Sequence, residues 1–444
     1  MKRYLEILKL VWPLAMGMIN NAIMQFVDRA YLAHDSMASL EAALPASMLA
    51  FMVIGFFQSV VAYSGTFVAQ YHGAGDRAMS RMSYMAGVAI ALVSGVACAV
   101  LEPAGEWTLA ALASQPEVLS RELAYYRILA FGGVAVFLQM SAASYFTGRG
   151  ETRAVFWVNV AGNLVNIALD PVLIFGLCGA PRLGIAGAAY ATVFATFVQW
   201  IVLAWLARGP EGASAPGPGV RRFIGLVARI LRFGVPSGAY SVLNILSFTV
   251  FVFVTGRVGD VAFAVSNACF TVNYLLIAPM EGFALGASTL VAQARGRGDS
   301  NAAHGDAMRT LALGVGLVAI LSLAAVAFCR PILSLFAPDP AVREEFYSLG
   351  FTLFVLMAAW QVFDAADVII SGALKGAGDT RFVLWWMLAA AFGLWLPLVG
   401  AVAVLHNTMA ALWSTMVVYV VVICAGSLVR WRRGAWRAIT VTQS

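Results

Sequence analysis

The sequence is poor in charged residues. Only 11% of its 444 residues are Asp, Glu, Lys or Arg, whereas soluble domains carry about 25%. Hydrophobic residues make up 61% of the chain, and most apolar stretches reach the length of about 20 residues that crosses a bilayer as a helix. The runs lack the alternating pattern of short barrel strands. We therefore predict an all-α integral membrane protein whose main partner is the lipid bilayer.

Cysteine and histidine are also scarce. The five cysteines are dispersed without metal-ligand spacing, which excludes a disulfide framework, and the four histidines form no ligand cluster. No segment combines His with acids, or Ser with Lys, in the way that a membrane-embedded enzyme requires. We expect no enzymatic activity and no cofactor. The net charge of +6 sits in short loops and is explained by membrane topology, so no nucleic-acid partner is expected.

Apolar periodicity, punctuated by Gly, Pro and charged residues, predicts twelve membrane-spanning segments. A stretch rich in Gly, Pro, Ser and Ala divides them into an N-terminal six-helix lobe (1–207), a cytoplasmic linker (208–229) and a C-terminal six-helix lobe (230–444). The segments lie at approximately 8–33, 43–71, 84–101, 123–147, 154–176, 185–206, 230–254, 263–293, 308–328, 346–374, 382–404 and 409–428.

Basic residues predict the orientation of these segments. With the amino terminus in the cytoplasm, twelve crossings return the carboxyl terminus there, and 21 of the 28 Lys and Arg fall on the cytoplasmic side. This bias matches the positive-inside rule. We expect a multi-pass protein of the bacterial inner membrane with both termini cytoplasmic.

The two halves repeat each other. Val68–Asp76 recurs as Val291–Asp299 at an offset of 223 residues, and Gly148–Arg153 recurs as Gly376–Arg381 at an offset of 228. Two six-helix halves of equal orientation imply a pseudo-two-fold axis along the membrane normal, as in secondary transporters. Further pairs at the offset of 223 are Pro13 and Pro236, Asn21 and Asn244, and Thr192 and Thr415.

Two predicted helices carry polar stripes in otherwise apolar sequence. Asn159, Asn163, Asn166 and Asp170 are spaced 4, 3 and 4 residues apart and share one helical face. A carboxylate in hydrocarbon costs roughly 2.5–3.5 kcal/mol, so an intramembrane acid is a functional candidate. The alternative is that these groups only join helices by hydrogen bonds. The first segment has a similar stripe of Asn21, Gln25 and Asp28, and Pro13 near its start permits a hinge.

Two carboxylates brought together in a low dielectric cannot both remain comfortably charged, so such a pair can hold a proton. An added amide oxygen and hydroxyl would make a hard oxygen cage that could hold Na⁺ equally well. The alternative for Asp28 is an ion pair with the adjacent Arg29.

Twelve helices in a 6+6 arrangement, the repeated Gln-x-x-Gly-x-Gly-Asp and Gly-x-Gly-Asp/Glu-Thr-Arg loops, and the run Asn166–Gly176 resemble the multidrug and toxic compound extrusion (MATE) transporters. The resemblance implies a V-shaped pair of lobes that export organic cations in exchange for H⁺ or Na⁺. Its N-lobe cation site matches Asp28, Asn166 and Asp170, with Asn163 beside them. Thr192 falls where some members contribute a hydroxyl, which makes Na⁺ possible at Asp28, Asn166, Asp170 and Thr192.

The second half departs from the first at the key positions. Phe251 stands opposite Asp28, and Leu394–Leu398 replaces the polar stripe. The second half has acids of its own, which we assign to the substrate cavity together with Gln25 and Asn21: Asp364, Asp367 and Glu281. Asp364 matches a helix-10 aspartate of the sodium-driven branch, but the helix-7 glutamate of that branch has no counterpart here.

The sequence therefore predicts a monomeric antiporter that expels xenobiotics, with small-molecule drugs or organic cations as its partners. The rival interpretation is a lipid-linked precursor flippase of the wider superfamily. A flippase would be expected to present a strongly basic cavity to a pyrophosphate headgroup, whereas the intramembrane charges here are mainly acidic.

Overall fold

The computed structural model describes residues 2–112, 116–208, 219–336 and 342–441, and within these ranges it contains helices but no β-strand. The α-helices are α1 Lys2–Asp35, α2 Met37–Ala62, α3 Ser64–Gly73, α4 Arg77–Leu112, α5 Pro116–Arg149, α6 Thr152–Phe175, α7 Ile185–Leu206, α8 Val220–Thr255, α9 Asp260–Gly296, α10 Ser300–Ala327, α11 Cys329–Ser334, α12 Arg343–Ala377, α13 Thr380–Ala390, α14 Leu396–Leu405 and α15 Met409–Arg433. Short 3₁₀ turns occupy Leu177–Gly179 and Ala435–Ala438, and a π-helical turn occupies Ala391–Trp395.

Twelve spans among the described residues are long and apolar enough to cross a membrane, as the sequence predicts. Two of them are composite: α2 and α3 together form one span, and α13, the π turn and α14 form another. Most spans run past their predicted ends. The segment predicted at 84–101, for example, is the 36-residue helix α4. Apolar periodicity marks the part of a helix that lies in hydrocarbon, and it stops where the helix continues into polar surroundings.

The repeated glycine loops are helix-capping turns. Gly75 and Gly298 both have a left-handed φ, of +76° and +77°, a conformation that glycine adopts without steric cost. The following aspartates cap the next helix: Asp76 accepts from the backbone N–H of Met79 at 2.9 Å, and Asp299 accepts from that of Ala302 at 2.8 Å. These loops therefore end one span and begin the next, and they do not form phosphate-binding loops.

The chain forms two compact units. One contains residues 1–15, 243–294 and 299–440, and the other contains residues 16–242, 295–298 and 441–444. Both α1 and α8 pass from one unit to the other, a few residues after Pro13 and Pro236 respectively. The units thus differ from the predicted division at 208–229. Residues 220–229 of the predicted linker are helical, because the basic start of α8 is amphipathic, and residues 209–218 lie outside the described residues.

Small residues bring helices together in the unit of residues 16–242. An added Cβ at Gly148 in α5 would lie 2.7 Å from the carbonyl oxygen of Gly65 in α3, and one at Gly65 would lie 3.0 Å from Ser144. Close backbone approach of this kind is typical of helix packing in membranes, where dispersion contacts replace the hydrophobic effect.

Candidate functional site

The polar stripe of α6 faces the protein interior. Asn166 and Asp170 are completely buried and Asn163 is 4% exposed. The opposite side of the same helix presents Trp157 and Leu164, which are 65% and 61% exposed. The helical spacing of the polar groups therefore places them away from lipid, as the energetic cost of an exposed intramembrane acid requires.

Asp28 of α1 meets Asp170 in the unit of residues 16–242. The two carboxyl groups lie within side-chain hydrogen-bonding reach of each other. Asn166 joins this pair to α7. In the amide orientation that satisfies both of its ends, its Nδ2 donates to Asp28 Oδ1 at 3.0 Å and its Oδ1 accepts from the backbone N–H of Thr192 at 3.2 Å. Three helices thus converge on one polar centre.

Asp170 has no donor of its own. Both of its carboxyl oxygens are buried, and neither accepts a hydrogen bond from any residue that the structure describes. A buried carboxylate without a donor or cation is very costly, and a second carboxylate beside it adds repulsion. Across the described ranges no salt bridge joins Asp28 to Arg29, which is exposed. The arrangement therefore requires a proton or a bound cation shared between the two acids.

Other amides extend the site along α6. Asn163 Nδ2 donates to Asn21 Oδ1 at 2.9 Å, and Gln199 Nε2 of α7 donates to Asn163 Oδ1 at 3.3 Å. Gln25, from the same predicted stripe as Asn21, is exposed. Asn159 pairs instead with Gln139 of α5, whose Nε2 donates to its Oδ1 at 3.1 Å.

Two residues near the site escaped prediction. Gln199 is a lone amide in an apolar helix, and its isolation is a signal that sequence reasoning could have used. Tyr125 of α5 lies close enough to both Asp28 and Asp170 to interact with their charges. Nothing in the local sequence of Tyr125 marks it, because its position depends on how α5 packs against α1 and α6.

Thr192 supplies a hydroxyl at the edge of the site. Its Oγ1 donates to the carbonyl oxygen of Ala188 at 3.0 Å, so its lone pairs remain available to a cation. Among the described residues no group of three His, Cys, Asp or Glu side chains has the geometry of a metal site. Any Na⁺ here would depend on carboxyl, amide and hydroxyl oxygens together.

The equivalent position in the other unit is filled by aromatic rings. Phe251, opposite Asp28 in the repeat, is completely buried, and its ring centroid lies 5.2 Å from that of Trp395. Trp395 Nε1 donates to Thr415 Oγ1 at 3.2 Å, and Thr415 is the repeat partner of Thr192. The hydroxyl is kept while the acids are replaced, as the sequence predicts.

The second-half acids form a separate cluster in the unit that contains residues 243–294 and 299–440. Asp367 is 3% exposed, Asp364 is half-buried and Glu281 is exposed. Asp364 interacts electrostatically with both of the others. Ser371 Oγ donates to Asp367 Oδ1 at 3.4 Å. Lys375 belongs to the same cluster. Lys375 is one of the 21 basic residues that the positive-inside count places on the cytoplasmic side, and such a count does not consider neighbouring acids.

Asp364→Asn is expected to weaken transport of cationic substrates about tenfold, equal to about 1.4 kcal/mol, while neutral substrates are little affected. The substitution removes a charge without removing a helix contact. The measurement is efflux of a cationic and a neutral dye by cells at matched expression, with Asp260→Asn at the start of α9 as the control. Equal loss for both dyes would indicate a coupling role for Asp364 instead.

Known proteins are similar to this chain over most of its length. The family model MatE matches residues 13–172 and 236–399. The probable multidrug resistance protein NorM of Bradyrhizobium diazoefficiens is 27% identical over 88% of this chain and 84% of its own length. The multidrug resistance protein PmpM of Pseudomonas aeruginosa is also 27% identical, over 88% of this chain and 82% of its own.

Solved structures share the fold. A structure described as the outward-facing conformation of a multidrug resistance MATE family transporter superposes with a TM-score of 0.84 over 100% of this chain and 97% of its own, at 19% identity. A MOP superfamily transporter from Pyrococcus furiosus, described as having a binding pocket of reverse polarity, gives 0.84 over 97% and 95%, at 18% identity. The family match covers both repeats and includes Asp28, Asn166 and Asp170, and on this evidence the chain belongs to the MatE family of multidrug and toxic compound extrusion proteins.

Proposed function

We propose that this protein is a secondary-active multidrug efflux antiporter that exports organic cations in exchange for H⁺ or Na⁺. The names of its relatives support multidrug export as the general activity. The single observation that carries the coupling mechanism is the acid pair: Asp170 is completely buried, has no donor among the described residues and lies beside Asp28, which is half-buried. Such a pair must gain and lose a cation whenever its surroundings change between dry and wet.

In this mechanism the cation acts by shifting the equilibrium between the two conformations of the transporter. A ligand shifts a conformational equilibrium only if it binds the two states with different affinity. A neutralised acid pair is compatible with a dry, closed site, whereas a charged pair needs water or a cationic substrate. The acid pair therefore couples release of the cation on one side of the membrane to binding of the drug from that same side.

The orientation of Asn166 favours the proton over Na⁺. In the amide orientation that satisfies both of its ends, its Nδ2 donates to Asp28, and its oxygen accepts from Thr192 N–H and is turned away from the carboxyl groups. Na⁺ would require this amide to flip and lose both hydrogen bonds. A proton shared between Asp28 and Asp170 leaves them intact.

The proposed setting is the bacterial inner membrane, with both termini in the cytoplasm and the protein acting as a monomer. The positive-inside distribution supports this orientation. The basic ends of α8, α12 and α15 would then lie on the cytoplasmic side. Within the described ranges no salt bridge joins the acid pair to a basic residue, which also speaks against the flippase alternative, because a pyrophosphate headgroup calls for cationic residues.

A gradient assay in reconstituted vesicles tests the proposal. We expect an imposed proton gradient to drive movement of a fluorescent organic cation, and a sodium gradient to have little effect. Vesicles without protein and a protonophore provide the controls. A response to sodium alone would keep antiport and overturn the proton preference, while transport that ignores both gradients would overturn antiport itself.

A further inference from the structure

Helices α9 and α12 run parallel in tight register. Three contacts between them each join residues that are 88 positions apart. Two of these contacts are close backbone approaches. A Cβ added at Gly372 would lie 2.5 Å from a carbonyl oxygen of α9, and one added at Gly376 would lie 2.3 Å from another. The third is a side-chain hydrogen bond. The contacting pairs are Gln361 with Asn273, Gly372 with Ala284, and Gly376 with Ser288. This register fixes which side chains share the seam between the two helices.

Three charged residues and a serine of α12 lie on the helical face next to that seam. Asp364, Asp367, Ser371 and Lys375 of α12 are spaced 3, 4 and 4 residues apart, and therefore occupy one helical face. Glu281 of α9 is three residues before Ala284, which touches Gly372. Lys375 interacts electrostatically with Glu281 and with Asp367.

Helix α15 adds the remaining polar neighbours of the cluster. Ser427 lies within hydrogen-bonding reach of Asp367, and Tyr419 and Cys424 of α15 are close enough to the acids to interact with their charges. None of these three supplies a positive charge. Within the described ranges, the cation that acts on Asp367 and Glu281 is Lys375 of α12.

Lys375 is unusual for its position. It is one of three lysines in the chain, and the other two lie within the first ten residues. Its repeat partner at the offset of 228 is Thr147, so the first half has no cation at this place. The first half thus holds an acid pair without a lysine, and the second half holds three acids with one.

We propose that Lys375 is a built-in counter-cation for Glu281 and Asp367, which performs in this cluster the role that a bound ion would otherwise perform. This inference rests on the proposed antiport function and refines it. With Lys375 in place, these two acids need no external ion. Asp364 lies 11 residues before Lys375, about 16 Å along the helix at 1.5 Å per residue, and interacts electrostatically with the two acids. Asp364 is left to meet a cationic substrate.

The proposal predicts that removing the lysine creates a demand for an external cation. Purified Lys375→Met should be less heat-stable than its parent by several degrees in sodium-free buffer, because loss of the lysine leaves Asp367, which is 3% exposed, without its counter-charge. Sodium should restore much of the loss by binding the folded state. The parent protein for all variants carries Asp28→Asn, so that the first-half acid pair no longer contributes a sodium response. Choline replaces sodium in the reference buffer.

Matched variants separate charge from packing. Lys375→Arg should behave as the parent, Asp367→Asn with Lys375→Met should regain stability without sodium, and Lys9→Met should change nothing. The proposal is overturned if Lys375→Met shows no sodium response, or if the aspartate substitution fails to rescue it. If Lys375→Met cannot be purified but the double variant can, that rescue supports the proposal, and failure of both overturns it. The readout needs no drug, so it stands apart from the vesicle assay that tests antiport.

Discussion

Asp170→Asn and Asp28→Asn are each expected to reduce drug export to the background of vesicles without protein. An amide cannot take up or release the coupling proton, so the two conformations no longer differ in their affinity for it. The measurement is proton-driven efflux of a fluorescent organic cation at matched reconstitution levels. Dye efflux from either variant at wild-type rate would exclude that residue from coupling.

Asp170→Asn should not damage the fold, and this expectation separates a coupling role of Asp170 from a structural one. In Asp170→Asn the new Nδ2 can donate to Asp28, so the pair no longer needs a shared proton. We expect a melting temperature equal to that of the wild type or higher. Asn159→Ala is the matched control, because it removes another amide of α6, whose partner is Gln139 and not the acid pair. It should retain export.

The residues of the candidate site could be found from the sequence because their signal is local. In an apolar helix, the spacing of Asn163, Asn166 and Asp170 predicts a single polar face, and that face is buried. The twelve spans could be predicted for the same reason, since length and hydropathy are properties of each segment alone. The assignment of Asp28 to the same centre required the family resemblance, because periodicity does not say which helices touch.

What the sequence could not supply is the packing between helices. Gln199 joins the amide chain only because α7 lies against α6, and Tyr125 approaches the acids from α5. Lys375 was placed on the cytoplasmic side because a charge count considers each basic residue without its neighbours. Its relationship to Glu281 depends on the register of α9 and α12, which is set by contacts between residues 88 positions apart.

Equivalent positions of the two repeats hold chemically different side chains. Thr192 and Thr415 are repeat partners: the backbone N–H of Thr192 is bonded to Asn166 beside the acid pair, and the Thr415 hydroxyl is bonded to the indole of Trp395. Aromatic packing of Phe251 and Trp395 fills the second position without any titratable group. The proposed mechanism therefore predicts that the first-half acids respond to the coupling cation, while the second-half acids have Lys375 close to them.

Drug affinity in detergent is expected to rise with pH and to fall when a competing cation is added. A cationic drug binds best to the ionised acid pair, so at low pH it must displace the shared proton. Where one proton is released for each drug bound, the affinity should rise by up to about tenfold per pH unit. By reciprocity, bound drug weakens proton binding by the same factor.

The Asp28→Asn variant decides whether the first-half pair is the source of this dependence. Neutralisation of the pair is expected to let α1 bend at Pro13 and close the site, and the variant holds that position permanently neutral. Its drug affinity should therefore be lower than that of the wild type at high pH and nearly flat across the titration. Fluorescence anisotropy of an organic cation dye, measured from mildly acidic to mildly alkaline pH with and without sodium, gives both curves. A flat wild-type curve, or a slope that survives in Asp28→Asn, would show that the drug and the cation do not compete through these acids.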